Sequence, residues 1–339
     1  MNRLLWTVSM IAAGSTSATL GGEVSSRLDA ETGWTIYDLR QGQTRLSVVP
    51  AAGCNAFSWQ VRDVEYLRVP EKLSQLPGVG FGNPLLYPTP NRIRGAKFSF
   101  AGRDYQFPSN GGGNFIHGLV HSVPWDVQAT SADGDSASLV CRLDFEPGSE
   151  RFQLFPWRHT LRMTVTLREA SVRWTYEVDN PQGSEPLPFG FAFHPYFVYQ
   201  GARAQTYLQV PATHWMESDR QLPSGKLVPL DNHPLDARQF HSLANFVLDD
   251  VFYGMKTEVP TRVEFRDKQR ELVLRASPEF THLVVYTPEN RPFFCIENQT
   301  CSTDAHNLHA HGLESAAHLQ ICPAGQKMSG WVEYHVELP

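Results

Sequence analysis

The chain has 339 residues, of which 41% are hydrophobic and 19% charged, and a formal net charge of −6. That composition excludes a disordered or low-complexity protein and provides enough apolar surface for a large core. The acidic balance and the lack of any Lys/Arg run exclude a nucleic-acid partner.

Met1-Asn2-Arg3 is a short basic start, Leu4 to Ala13 is mostly apolar, and Ser15-Thr16-Ser17-Ala18 offers small residues for cleavage. This is the layout of a weak signal peptide. Thr7 and Ser9 interrupt the apolar run, so a plain leader fits as well. Residues 1–30 are set outside the folded unit, and a single domain is expected over residues 31–339, with its β-structure beginning near Trp34. No other stretch is long and apolar enough to span a membrane. The five cysteines (Cys54, Cys141, Cys295, Cys301 and Cys322) are odd in number and lack C-x-x-C spacing, which argues against a disulfide framework or a zinc ribbon. Buried free thiols favour a reducing, cytoplasmic setting; a genuine leader would favour export.

Further along, apolar residues alternate with polar ones. Ala137, Leu139, Cys141, Leu143 and Phe145 keep a period of two. Met163, Val165 and Leu167 do the same, followed beyond a polar turn by Val172, Trp174, Tyr176 and Val178. Val263 and Phe265 pair in pattern with Leu272 and Leu274 across the charged turn at Asp267-Lys268. Such alternation predicts half-buried strands and hairpins. The 25 Gly and 24 Pro punctuate short elements. No internal repeat or linker appears. The fold class read from this is all-β: one large antiparallel β-sandwich.

Five polar residues interrupt strand-like runs: Arg92 after Asn91, His117 after the loop Asn110-Gly111-Gly112-Gly113, His194 between Phe193 and Pro195, Asp249 after Val247-Leu248, and Glu297 after Cys295-Ile296. A charged Glu in an apolar strand costs several kcal/mol unless it is paired. A carboxylate can act as general base and an imidazole as general acid. Arg, a second His and Asp can orient hydroxyl groups. There is no dinucleotide fingerprint, P-loop or Gly-x-Ser-x-Gly elbow. The combination suits proton transfer on a polyol without a cofactor.

In order, Asn91-Arg92-Ile93, Asn114-x-x-His117-Gly118, His194-x-Tyr196-Phe197, Asp249-x-x-Phe252 and Glu297-x-Gln299-Thr300 with Asp304-Ala305-x-Asn307 resemble the aldose 1-epimerase (galactose mutarotase) family, and the likeness covers Trp34 to the C-terminus. The resemblance implies a large β-sandwich, sometimes called a supersandwich, and interconversion of the α and β anomers of a free sugar by a monomer or homodimer, with neither cofactor nor metal. It implies that Glu297 is the general base and His194 the general acid. Arg92, His117 and Asp249, with Asn91, would orient substrate, and Asp250 is an alternative to Asp249. The chain departs from the family at Tyr87-Pro88-Thr89-Pro90 before Asn91, at Val284 where better-known members have Gln, and at Leu119 where they have a second Gly. These departures make it a divergent member.

Two competing readings stay open. One is a mutarotase for a hexose 6-phosphate, with Arg94 and Arg103 as phosphate ligands. The other is a non-catalytic carbohydrate-binding sandwich. Tyr196, Phe197 and Trp125 are candidates for stacking on a sugar, with core packing the simpler account of Trp125. Asp304, His306, His309 and His311 offer metal-ligand types, but a loop with solvated histidines is expected there.

Overall fold

The alternation read from the sequence becomes strand geometry. In Ala137–Phe145 every odd-numbered residue is buried and every even-numbered one half-exposed, the pattern of a strand with one face on a core. The structure is a computed structural model and describes residues 21–181 and 185–339. His159–Arg168 repeats the pattern and pairs with Ser171–Asp179 in an antiparallel hairpin.

Three sheets carry the fold. The largest has nine antiparallel strands and is built around Ala137–Phe145, His159–Arg168, Ser171–Asp179 and Lys327–Glu337. A second sheet of eight strands runs from Leu222–Pro229 through His214–Asp219, Asp249–Tyr253 and His282–Tyr286 to Phe293–Gln299, then to Ala192–Phe193 and Leu85–Leu86; Tyr196–Val198 also pairs with Phe293–Gln299. The third has five strands and starts at Glu23–Leu28.

Aromatic side chains join the first two sheets face to face. Trp174 and Tyr176 from the nine-stranded sheet meet Phe193 and Phe191, with Tyr176 stacked on Phe191 at 4.5 Å between ring centroids. Tyr334 bridges to Phe197 at 5.3 Å. Each such ring removes about 150–250 Å² from water, and each aromatic contact adds about 0.5–1.5 kcal/mol. Leu39, Leu46 and Trp59 bring the five-stranded sheet into the same core. The all-β sandwich expected from the alternation is the fold observed.

Glu23–Leu28 falls inside the stretch set outside the domain on sequence grounds, yet it pairs along its length with Thr35–Gln41. Most of its residues are solvent-exposed on both faces, so it carries no period-two signal. The ordered sheet therefore begins before residue 31. The signal-like features at residues 1–20 lie outside the described residues. Among the described residues, no helix is long and apolar enough to cross a membrane.

Candidate active site

Phe293–Gln299 is buried at every position, and its two faces differ. Phe294 and Ile296 enter the sandwich core. Phe293, Cys295, Glu297 and Gln299 occupy the opposite face, because successive side chains alternate. There Cys295 packs with Tyr196 and Phe293 in a separate small cluster. A carboxylate on this face is buried without being locked into the main core.

Glu297 meets His194 there. His194 Nε2 lies 3.3 Å from Glu297 Oε1, and both side chains are nearly closed to solvent. His194 follows the short strand Ala192–Phe193, and its backbone N–H donates to Pro84 O at 3.0 Å. Its ring stacks on Tyr196 at 4.7 Å and 14°. Gln299 Nε2 donates to Glu297 Oε2 at 3.3 Å. Burial holds the Glu297 carboxyl well above the usual carboxylate range, and the negative charge of Asp249 adds to this; the Gln299 hydrogen bond and Arg92 oppose it. Burial pushes the His194 imidazole down to about 3. Both shifts run in the direction that disfavours charge, and burial is the chief cause of each.

His117 and Arg92 arrive from a strained loop pair. Arg92–Ile93 pairs antiparallel with Phe115–Ile116. Asn91 and His117 both hold left-handed backbone, with φ of 53° and 71°, and the His117 N–H donates to Asn91 O at 2.8 Å. Non-glycine residues in this region cost about 1–2 kcal/mol each, and such strain clusters at functional sites. Gly118, also at φ 71°, runs so close to Tyr87 that a Cβ would sit 2.3 Å from its carbonyl oxygen. The loop delivers the His117 ring edge-on to His194, with centroids 5.2 Å apart. Burial pushes His117 well below the usual histidine range, with repulsion from His194 second. Its Nδ1 is buried with no protein partner. Arg92 Nη1 donates to Asn91 Oδ1 at 3.0 Å.

Strand register separates Asp249 from Asp250. Asp249 lies opposite Tyr286, which lies opposite Cys295; Asp250 lies opposite Val285, which lies opposite Ile296. Directly paired residues share a face. Asp249 therefore shares the Glu297 face, whereas Asp250 lies on the other, with its carboxylate 3.9 Å from His233 Nε2. Burial raises the Asp249 carboxyl, while Arg92 favours its charged form.

The structure thus gathers Glu297, His194, His117, Arg92, Asn91 and Asp249 at one place. Sequence reasoning quoted Gln299 within the motif but gave it no role, although its spacing of two from Glu297 on a strand fixes it to the same face. Trp125 is core: its Nε1 donates to Val120 O at 3.3 Å. Phe197 is core as well. The solvated loop expected around the histidines is instead the helix Ala305–Ala310. His306 is buried in it against Phe98, 4.4 Å between rings, and burial lowers its pKa to about 4. Asp304 accepts from the Arg94 and Asn307 side chains.

Two large cavities lie near Arg92 and Arg94. One of about 560 Å³ is lined by Arg92, Ile116, the glycine-rich loop and the hairpin tip Asp219–Leu222. Another of about 840 Å³ lies beside Arg94 and Asp304. Neither cavity is lined by Glu297 or His194.

A model of the aldose 1-epimerase family matches residues 35–335. The chain belongs to this family. Within it, the chain is 27% identical over 283 residues to the uncharacterized protein YphB of Escherichia coli K12, covering 80% of this chain and 90% of that one. Its fold is similar to a galactose mutarotase-like protein from Clostridium acetobutylicum, with a TM-score of 0.84 at 19% identity over 94% and 99% of the two chains. It is also similar to a galactose 1-epimerase from Lactobacillus acidophilus NCFM, with a TM-score of 0.75 at 15% identity over 93% and 98%. At these identities the likeness concerns the fold. An epimerase-family sandwich carrying a buried carboxylate–imidazole pair is what sequence and structure jointly describe.

Proposed function

We propose that the protein is an isomerase, an aldose 1-epimerase that interconverts the α and β anomers of a free aldose. The observation that carries the reading is the buried contact between Glu297 and His194, 3.3 Å apart on the non-core face of the second sheet. Simple sugar binding needs neither an acid nor a base, and burying two titratable groups together is costly.

In this mechanism Glu297 works as the carboxylate and His194 as the imidazolium. Glu297 takes the proton from the C1 hydroxyl while His194 gives one to the ring oxygen. The C1–O5 bond breaks and a free aldehyde forms. Rotation about C1–C2 presents the other carbonyl face. The reverse transfers then close the opposite anomer, with no net proton gained or lost. A raised Glu pKa makes a stronger base, and a lowered His pKa a stronger acid. Arg92, His117, Asp249 and Asn91 orient the sugar hydroxyls.

The phosphate reading has less support. Arg94 is held by Asp304 and by the Pro223 carbonyl, and Arg103 pairs with Glu185 at the exposed turn of its hairpin. Polarimetry of freshly dissolved α-D-glucose, α-D-galactose and a hexose 6-phosphate tests all three readings. Acceleration with a free sugar supports the proposal. Activity on the phosphorylated sugar alone replaces it with the phosphate reading, and binding without acceleration replaces it with the non-catalytic one.

A further inference from the structure

The mechanism leaves Cys295 unused. It stands two residues before Glu297 on Phe293–Gln299, so both side chains leave the strand on the same face. One ligand atom each from His194, Cys295 and Glu297 lies within 4.8 Å of the others, and all three residues are buried. No other group of three His, Cys, Asp or Glu side chains reaches that spacing among the described residues.

The spacing fits a tetrahedral ion. With metal–nitrogen and metal–oxygen bonds near 2.1 Å and metal–sulfur near 2.3 Å, the N···O edge is about 3.4 Å and the edges to sulfur about 3.6 Å. His194 Nε2 and Glu297 Oε1 already stand 3.3 Å apart, close to the edge of such a site, and a Cys295 ligand atom lies within 4.8 Å of the group. A sulfur, an imidazole and a carboxylate together select a borderline-soft dication over Mg²⁺ or Ca²⁺. Thiolate and carboxylate would balance its charge, leaving a neutral complex in a buried place. Three protein ligands leave the fourth position open.

We propose that a thiophilic divalent cation of the Zn²⁺ type binds to His194, Cys295 and Glu297 and shuts the site down by occupying its base and its acid. The blocking half rests on the function proposed above; the binding half does not. Binding requires the thiol to give up its proton.

Cobalt is the probe. Tag-free protein freed of metal with a chelator should take up one equivalent of Co²⁺, giving a thiolate-to-cobalt charge-transfer band and the visible bands of a tetrahedral ion. Zn²⁺ should erase both, since it binds more tightly. Losing a residue that merely supports a ligand weakens metal affinity about 10–100-fold, so Cys295→Ser, which loses the ligand itself, should weaken it at least about 100-fold and abolish the charge-transfer band. Cys295→Ala serves as a second variant should serine disturb the fold. A wild-type protein showing no thiolate band at stoichiometric cobalt, or a band that survives in both variants, overturns the proposal. In the activity arm, Zn²⁺ should slow sugar mutarotation by the wild type and leave Cys295→Ser unaffected. A cobalt band without zinc inhibition overturns the blocking half. A cobalt band in a protein that catalyses no mutarotation even without metal leaves the metal site standing and removes the catalytic reading.

Discussion

Glu297→Gln should disable the protein and stabilise it, and the gain should depend on pH in a set direction. The wild-type carboxyl is almost wholly buried, and burial raises its pKa well above the usual range. Below about pH 4.5 the group is protonated folded or unfolded and costs nothing. As pH rises, the unfolded chain ionises first, and the fold loses about 1.4 kcal/mol per pH unit until the raised pKa is passed. Gln is close in shape and uncharged, so it escapes that loss. Urea unfolding of wild type and variant at pH 5, 6.5 and 8 should show a stability gap in favour of Gln that widens with pH. Mutarotation should meanwhile fall by about 10²–10⁴-fold, the value of one positioned acid or base. A variant less stable than the wild type at pH 8, or a gap indifferent to pH, would refute the argument that burial sets the state of Glu297.

Register predicts that Asp249→Asn lowers kcat/KM for the sugar while Asp250→Asn leaves it near wild type; equal losses in steady-state assays would contradict the assignment of faces. Gly118→Ala should cost more than about 2 kcal/mol in urea unfolding, from left-handed strain and the clash with Tyr87. A change within 0.5 kcal/mol would mean the loop gives way. His194 and His282 are lowered to about 3 and His159 and His306 to about 4, in each case chiefly by burial. The unfolded chain takes up these protons near pH 6.5, so their stabilising effect is complete above that pH and falls by up to about 1.4 kcal/mol per histidine per pH unit on acidification. Urea midpoints should drop between pH 6.5 and 5; an unchanged midpoint would contradict this.

The hairpin of His159–Arg168 with Ser171–Asp179 and the long strand at Ala137–Phe145 were legible because one face is buried and the other wet, the condition under which alternation is informative. Glu23–Leu28 is wet on both faces and left no trace. Ala305–Ala310 is six residues long, too short to establish a helical period, and its histidines read as solvated. The site's members were legible as polar residues breaking apolar runs. Their convergence was not, because it depends on pairings between strands distant in sequence. The choice between Asp249 and Asp250 shows why: adjacent residues on a strand face opposite ways, and only the partners Tyr286 and Val285 reveal which way is which. The left-handed backbone of Asn91 and His117 was likewise invisible, since neither is glycine.

The most direct measurement is exchange NMR on an equilibrated mixture of glucose anomers, which reads interconversion without any net reaction. The account predicts that wild-type protein raises the α–β exchange rate above buffer at pH 7, and that Glu297→Gln and His194→Gln each return it most of the way to the buffer rate. Exchange that persists at the wild-type rate in both variants would contradict the claim that these two side chains carry the protons.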